Sequence, residues 1–323
     1  GLVLGEKEAW RMLEPMLTGG EVGDVFTAAF VALDSGDTAR IDLLIKTFVQ
    51  ADGDIFEGIR HALRNSSYPE IERIVRSCLI AEKRAVQSAA VDVLRFRRLP
   101  VEIGQLQSLL TDDDPHVVAS AISAVGRLRV LQLKGQVEQS MSSSDPYIRL
   151  EAMRTGLLLG SQQALSHCRK AIRDRSEEAK DALILLGLAG HSEDNPFIIE
   201  AVTDPSLSRN AITAMRLMGN LSSMDILLRL SANPELSRLA GEAISMITGV
   251  NIVAEKFVAE KPVVVESGAI EEAIEEIKKE NEEEEFIEDP DEDLPFPDPG
   301  KLESWWRKNA TCFDKNLRYK RGQ

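Results

Sequence analysis

Four histidines, three cysteines and one run of three aspartates are the residues from which this sequence could build chemistry. His61, His116, His167 and His191 are widely separated, and only His167 and Cys168 adjoin. Neighbouring side chains on a helix diverge by about 100°, so that adjacency argues against both a Cys–His nucleophile and a shared metal ion. His116 follows an Asp-Pro step and reads as an exposed turn residue. Asp112-Asp113-Asp114 offers hard oxygen ligands but lacks the spaced pattern of a calcium loop. It reads instead as the turn before a helix, where negative charge favours the helix dipole. No H-E-x-x-H, Walker-type glycine loop or G-x-S-x-G is present. The expectation is a non-catalytic protein, with no catalytic residue, cofactor or metal assigned.

The elements that would carry any site announce themselves by repetition. Asp114-Pro115, Asp145-Pro146, Asp204-Pro205 and Asn233-Pro234 each precede an Ala by six residues, counted from the Pro. An Asp or Asn accepts bonds from the free N–H groups that start a helix, and a Pro at the first helical position loses nothing by lacking its own. Taking the Ala as a phase marker gives Ala121, Ala152, Ala182, Ala211 and Ala240, and backwards by one period Ala90, Ile59 and Ala28. From the marker, apolar residues recur at −3, 0, +1, +4 and +7, as in Val118, Ala121, Ile122, Val125 and Leu128. Leu128, Leu157 and Leu185 are read as core. A helix pair cannot bury such a stripe alone, and stacked neighbours can. The expected fold is all-α: an α-solenoid, or alpha–alpha superhelix, of about eight helix pairs with a period near 30 residues. The pairs are 6–17 with 21–33, 38–50 with 54–64, 69–81 with 83–96, 101–111 with 115–128, 131–142 with 146–159, 161–173 with 176–189, 195–202 with 206–218, and 222–231 with 235–248. Arg149, three residues after Pro146, is a candidate for bonding between repeats, although Val118, Ser208 and Ser237 at matching positions make no continuous ladder.

Charge is uneven. The chain carries −15 overall, of which residues 266–297 hold −13 and residues 298–323 hold +4, leaving −6 for the remainder. A mildly acidic array suits a phosphate backbone poorly, so no nucleic-acid partner is expected. Helical-repeat DNA glycosylases are disfavoured on that ground, and a carrier of basic cargo would need a more acidic groove. No apolar run reaches the ~20 residues that span a bilayer. Cys78, Cys168 and Cys312 are odd in number and show no metal-type spacing, which fits a reduced, cytoplasmic setting.

Beyond Gly249, read as a left-handed helix cap, the period is lost. The domain reading is 1–249 repeat array, 250–297 connector and acidic, Pro-rich, disordered linker, and 298–323 a short basic, aromatic, helical tail. Within that linker, residues 269–285 carry a partly helical pattern. Trp305, Trp306, Phe313 and Tyr319 crowd the tail. They dock on the chain's own repeats or form a recognition element for a partner, and both readings stay open here.

The Asp-Pro, small-residue, aliphatic pattern resembles HEAT repeats of the short bacterial kind over roughly residues 20–249. The run AGEAISMITGVNI (240–252), the acidic spacer, and Trp305-Trp306 … Phe313 … Leu317-Arg318-Tyr319 … Arg321-Gly322 resemble an uncharacterised proteobacterial HEAT-repeat family, some of whose members are encoded near type VI secretion genes. Members of that family start further upstream and continue past the Gly, so the resemblance implies truncation at both ends. It implies no activity. The expected function is a protein–protein interaction scaffold or adaptor, secretion-associated in a bacterium, with a protein partner and no membrane. The alternatives are a HEAT-like lyase of the bilin-lyase type, for which no chromophore cleft is recognisable, and a nucleic-acid-binding solenoid.

Overall fold

The computed structural model describes residues 6–260 and 289–323. The expected partial helix at 269–285 and most of the acidic run lie outside the described residues. Those described are helical, with no strand among them beyond two isolated bridges. They divide into two compact units, 1–167 and 168–323.

In the first unit the elements are α1 (Glu6–Leu13), α2 (Met16–Gly19), α3 (Val22–Ser35), α4 (Thr38–Gln50), α5 (Gly53–Asn65), α6 (Ile71–Cys78), α7 (Arg84–Arg97), α8 (Ile103–Leu110), α9 (Pro115–Arg127), α10 (Lys134–Ser140) and α11 (Pro146–Leu158). Helix α12 (Gln162–Asp174) crosses the boundary. The second unit continues with α13 (Ala179–Ala189), α14 (Asn195–Ala201), α15 (Ser208–Met218), α16 (Met224–Leu230), α17 (Ser237–Thr248) and α18 (Pro299–Asn309). Within the first unit α3 packs on α5, α5 on α7, α7 on α9 and α9 on α11; within the second, α13 packs on α15 and α15 on α17. Within each unit the second helix of a pair is therefore the one that meets its successor.

The phase marker explains that packing. Ala28, Ile59, Ala90, Ala121, Ala152, Ala182, Ala211 and Ala240 are each at most 2% exposed. Small side chains at the contact bring the backbones close, as at Gly187. A β-carbon there would lie 2.7 Å from the Ala214 carbonyl oxygen and 2.8 Å from its Cα. The stripe residues Val118, Ile122, Val125, Leu183, Leu186, Ile212 and Met215 are all buried. Leu128, Leu157 and Leu185, named as core, are only half-buried, whereas Leu159, Met218 and Ile247 at the +7 position of other repeats are buried.

The caps behave as the sequence suggests in two repeats and differently in two. Asp114 accepts from the His116 N–H, and Asp145 from those of Tyr147 and Ile148, with Pro115 and Pro146 opening their helices. Asp204 accepts from the Ser206 N–H and Asn233 from that of Glu235, yet the helices begin only at Ser208 and Ser237. A tight turn intervenes, closed by the Ser208 and Ser237 N–H groups bonding back to Asp204 O and Asn233 O. The first helix is split at Pro15, which has no N–H to continue it.

Gly187→Ala should lower the stability of the second unit by about 2 kcal/mol, since a buried clash with backbone outweighs the gain in helix propensity. Gly135→Ala in α10, where nothing lies within 4 Å of the new methyl, should raise stability by about 0.5 kcal/mol. Denaturant unfolding of the two proteins should shift in opposite directions.

Candidate functional site: the second-helix face and the C-terminal clasp

The outward side of the second helices lies at positions −2, −1, +2 and +5 from the marker. In the first unit it forms a cleft of about 460 Å3, with Arg60, Ser88, Asp92, Arg95, Ser120 and Ser123 in its floor and Phe56, His116, Tyr147 and Glu151 around them. The polar groups are bonded one repeat to the next. Arg60 Nη1 donates to Asp92 Oδ2 at 2.9 Å, Arg95 Nη1 to Ser123 Oγ at 2.7 Å, and Ser88 and Ser120 share a hydrogen bond of 2.7 Å. Arg97 Nη1 reaches Ser66 O at 2.6 Å and Arg64 O at 3.1 Å, where α5 ends. These partners stand 28 to 33 residues apart, which is one period. On the rim the rings of His116 and Tyr147 meet at 5.8 Å, both exposed.

Asp92 is the centre of this network and is only 6% exposed. Burial alone would push its carboxyl up. The hydrogen bond from Arg95 and the charges of Arg95, Arg64 and Arg60 outweigh that and hold it below its ordinary value.

Arg149 donates to Ser143 O at 3.0 Å and Ser144 O at 2.9 Å, closing the turn that leads into its own helix. Arginines that bond a residue of a neighbouring repeat include Arg60, Arg84, Arg95 and Arg97 in the first unit and Arg175 and Arg216 in the second. Their signal in the sequence is a polar residue about one period away on the face opposite the apolar stripe.

In the second unit the same face carries Arg209, Asn210, Thr213 and Arg216 on α15, and Arg238 and Glu242 on α17. A cleft of about 550 Å3 lies over it, walled on one side by Pro290, Asp291, Asp293 and Leu294. Residues 289–297, expected to be disordered, are thus seated on the helices. Asp291 is 4% exposed and accepts from Arg209 Nη2 at 2.6 Å. Arg238 donates to Asp291 O at 2.7 Å and to Asp289 Oδ2 at 2.6 Å, and its guanidinium lies 4.7 Å from the centre of the Phe296 ring. The chain then runs beside residues 257–259, with Ala259 N–H on Phe296 O and Asp298 N–H on Phe257 O. Charge attraction across 51 to 82 residues of sequence overrides the solvation that so acidic a composition favours.

The tail follows and belongs to the same compact unit. Asp298 caps α18, whose Leu302 is fully buried. Trp306, Phe313 and Tyr319 form a cluster, with ring centres 5.6 Å and 5.2 Å apart, and the Tyr319 hydroxyl accepts from the Asp314 N–H. Trp305 sits beside them, half-buried, its carbonyl accepting from Asn309. The cluster folds the chain back so that residues 318–322 reach three helix ends. Arg318 donates to Met218 O and Leu217 O, where α15 ends, and to Gly187 O and Gly190 O, where α13 ends. The Tyr319 N–H bonds Gly219 O, the Arg321 N–H bonds Met246 O and the Gly322 N–H bonds Ile247 O. A guanidinium at helix C-termini satisfies free carbonyls and complements the dipole. Gly219 and Gly249 sit at φ +65° and +79°, and a β-carbon on either would collide with the backbone of this clasp. Gly249 thus caps its helix as read from sequence, and also admits a second chain segment.

Two further groups could bear chemistry. Cys168 is buried, and burial with the nearby Asp194 charge pushes its thiol up to about 12, so it is neutral at ordinary pH. His191, Glu193 and Asp194 place ligand atoms within 4.8 Å of one another. Arg169 bonds both carboxylates, so a guanidinium already supplies the positive charge there. No helix among the described residues is long and apolar enough to cross a membrane.

Two outcomes test these assignments. Asp92 has its carboxyl depressed in the folded state, so its ionisation stabilises above the unfolded carboxyl range near pH 4 and that contribution is lost as pH falls through the folded value. Asp92→Asn should therefore destabilise the first unit by about 2 kcal/mol at pH 7 and flatten its loss of stability below about pH 4. Hydrogen exchange of α7 across pH should show the two profiles converging in acid, and parallel profiles would remove the role. Arg318→Ala should cost about 1 kcal/mol and speed proteolytic cutting within 313–323, read by mass spectrometry, while leaving exchange in α7 unchanged.

A scan of protein families finds no model that matches this chain, and no curated protein matches it significantly.

Proposed function

We propose that the chain is a non-catalytic interaction scaffold: its eight helix pairs stack as a HEAT-like α-solenoid, and the face made by the second helices binds an extended segment of a partner protein. One observation carries the reading. The chain's own residues 289–297, which are neither helix nor strand, are held on that face through side chains of α15 and α17. In the first unit the matching face is a cleft whose rim exposes the Tyr147 and His116 rings above bonded hydroxyls and ion pairs. Rigid aromatic rims over a pre-bonded polar floor suit peptide contact, since little side-chain order is lost on binding. The resemblance of the C-terminal run to a bacterial HEAT-repeat family found near type VI secretion genes points to a secretion-associated partner.

The test is site-specific photo-crosslinking in the native host. A photoreactive residue at Ser120, in the cleft floor, should trap one discrete partner, and the same group at the exposed Gln107 on α8 should not. Tyr147→Ala should reduce the Ser120 adduct about tenfold without lowering the melting temperature. Equal trapping at both positions, or none at either, would sink the scaffold reading.

A further inference from the structure

The strap in the second unit says what kind of segment its face accepts. Arg238 makes three contacts at once, to the Asp289 carboxylate, the Asp291 carbonyl and the Phe296 ring. Arg209 adds the Asp291 carboxylate. Together the two arginines read a pattern: an Asp, a second Asp two residues on, and an aromatic ring five residues beyond it. A guanidinium satisfies all of these through its donor fork and its flat face.

Polar contacts hold the first part of the strap, where Pro290, Glu292 and Asp293 are exposed; Leu294, Pro295 and Phe296 beyond it are half-buried. The structural anchor lies further along, where Val258 and Pro297 pair and Pro297 packs against Gly241. Residues 289–295 can lift, and the Phe296 ring swing out, while Pro297 and the bond from the Ala259 N–H to Phe296 O stay, leaving two unpaired guanidinium groups beside a cleft of about 550 Å3.

We propose that Arg209 and Arg238 form a reading site for an acidic Asp-x-Asp segment with a following aromatic residue on a partner protein, and that residues 289–296 are its built-in competitor. This rests on the scaffold reading and gives the partner's chemistry. A tethered competitor holds an arginine pair at millimolar effective concentration, so only a segment presenting the same charges and ring displaces it, and displacement weakens with salt.

The experiment uses the full chain and a fluorescein-labelled peptide of the sequence DPDEDLPFP, with a scrambled peptide of the same composition as control. Fluorescence anisotropy should show the peptide binding the D289N/D291N chain about tenfold more tightly than the native chain, and about tenfold more weakly in 500 mM than in 50 mM salt. Adding R209Q/R238Q should abolish binding, and R209K/R238K should restore part of it. Equal affinity for the native and D289N/D291N chains overturns the competitor. Binding that survives R209Q/R238Q, or that the scrambled peptide matches, overturns the reading site, provided circular dichroism shows the same melting temperature. A partner trapped at Ser120, with none trapped by the same photoreactive group at Thr213 on α15 in the D289N/D291N chain, overturns this site and leaves the scaffold reading standing.

Discussion

Everything in this protein depends on how closely successive second helices approach. A buried residue recurs at that contact about every 30 positions, Ala in seven repeats and Ile59 in one, and the room can be small: at Gly187 the neighbouring backbone occupies the place of a β-carbon. That closeness makes each repeat the lid of the one before. It also fixes the polar side. When apolar stripes interlock at short range, the residues on the other flank of the same helices come within hydrogen-bonding reach of their counterparts one period away. The pairs Arg60–Asp92, Arg95–Ser123 and Ser88–Ser120 follow from the packing beneath them.

A tight, periodic core produces a floor, and the floor can be used. Its charges are already balanced internally, as at Asp92, so it is stiff and nearly self-sufficient. In the second unit the balance is different. Arg209 and Arg238 take their carboxylates from a distant stretch of the chain. The contrast separates two uses of one helical face: bonded within itself in one place, and completed by an added segment in the other.

Much of the helical arrangement was legible because it rests on local chemistry. Apolar spacing, Asp-Pro starts and the glycine at 249 each act within a turn or two of helix, and the structure places helices where they point. Local signals failed where distance decided. Helices at Ser208 and Ser237 start late because a turn forms first. Arg98, Arg129 and Arg175 take the left-handed conformation, a position usually left to glycine. Residues 289–297 read as solvated because composition cannot report two arginines that lie far back in sequence. The aromatic tail stood out as unusual, but the bonds of Arg318 and of the backbone groups that hold it had no local signal. Bridging arginines such as Arg60 and Arg95 carried no motif of their own.

The clasp at residues 318–322 has a consequence in time. It finishes the ends of three helices, the last of which stops at residue 248, about 70 residues earlier in the chain. At synthesis rates of about 5–20 residues per second, those helices leave the ribosome several seconds before the residues that complete them. During that interval their C-terminal carbonyls face water, and the surface later covered by Leu302 is open. Until then the C-terminal groups that those helices expose are open to a chaperone or partner, for a window of seconds.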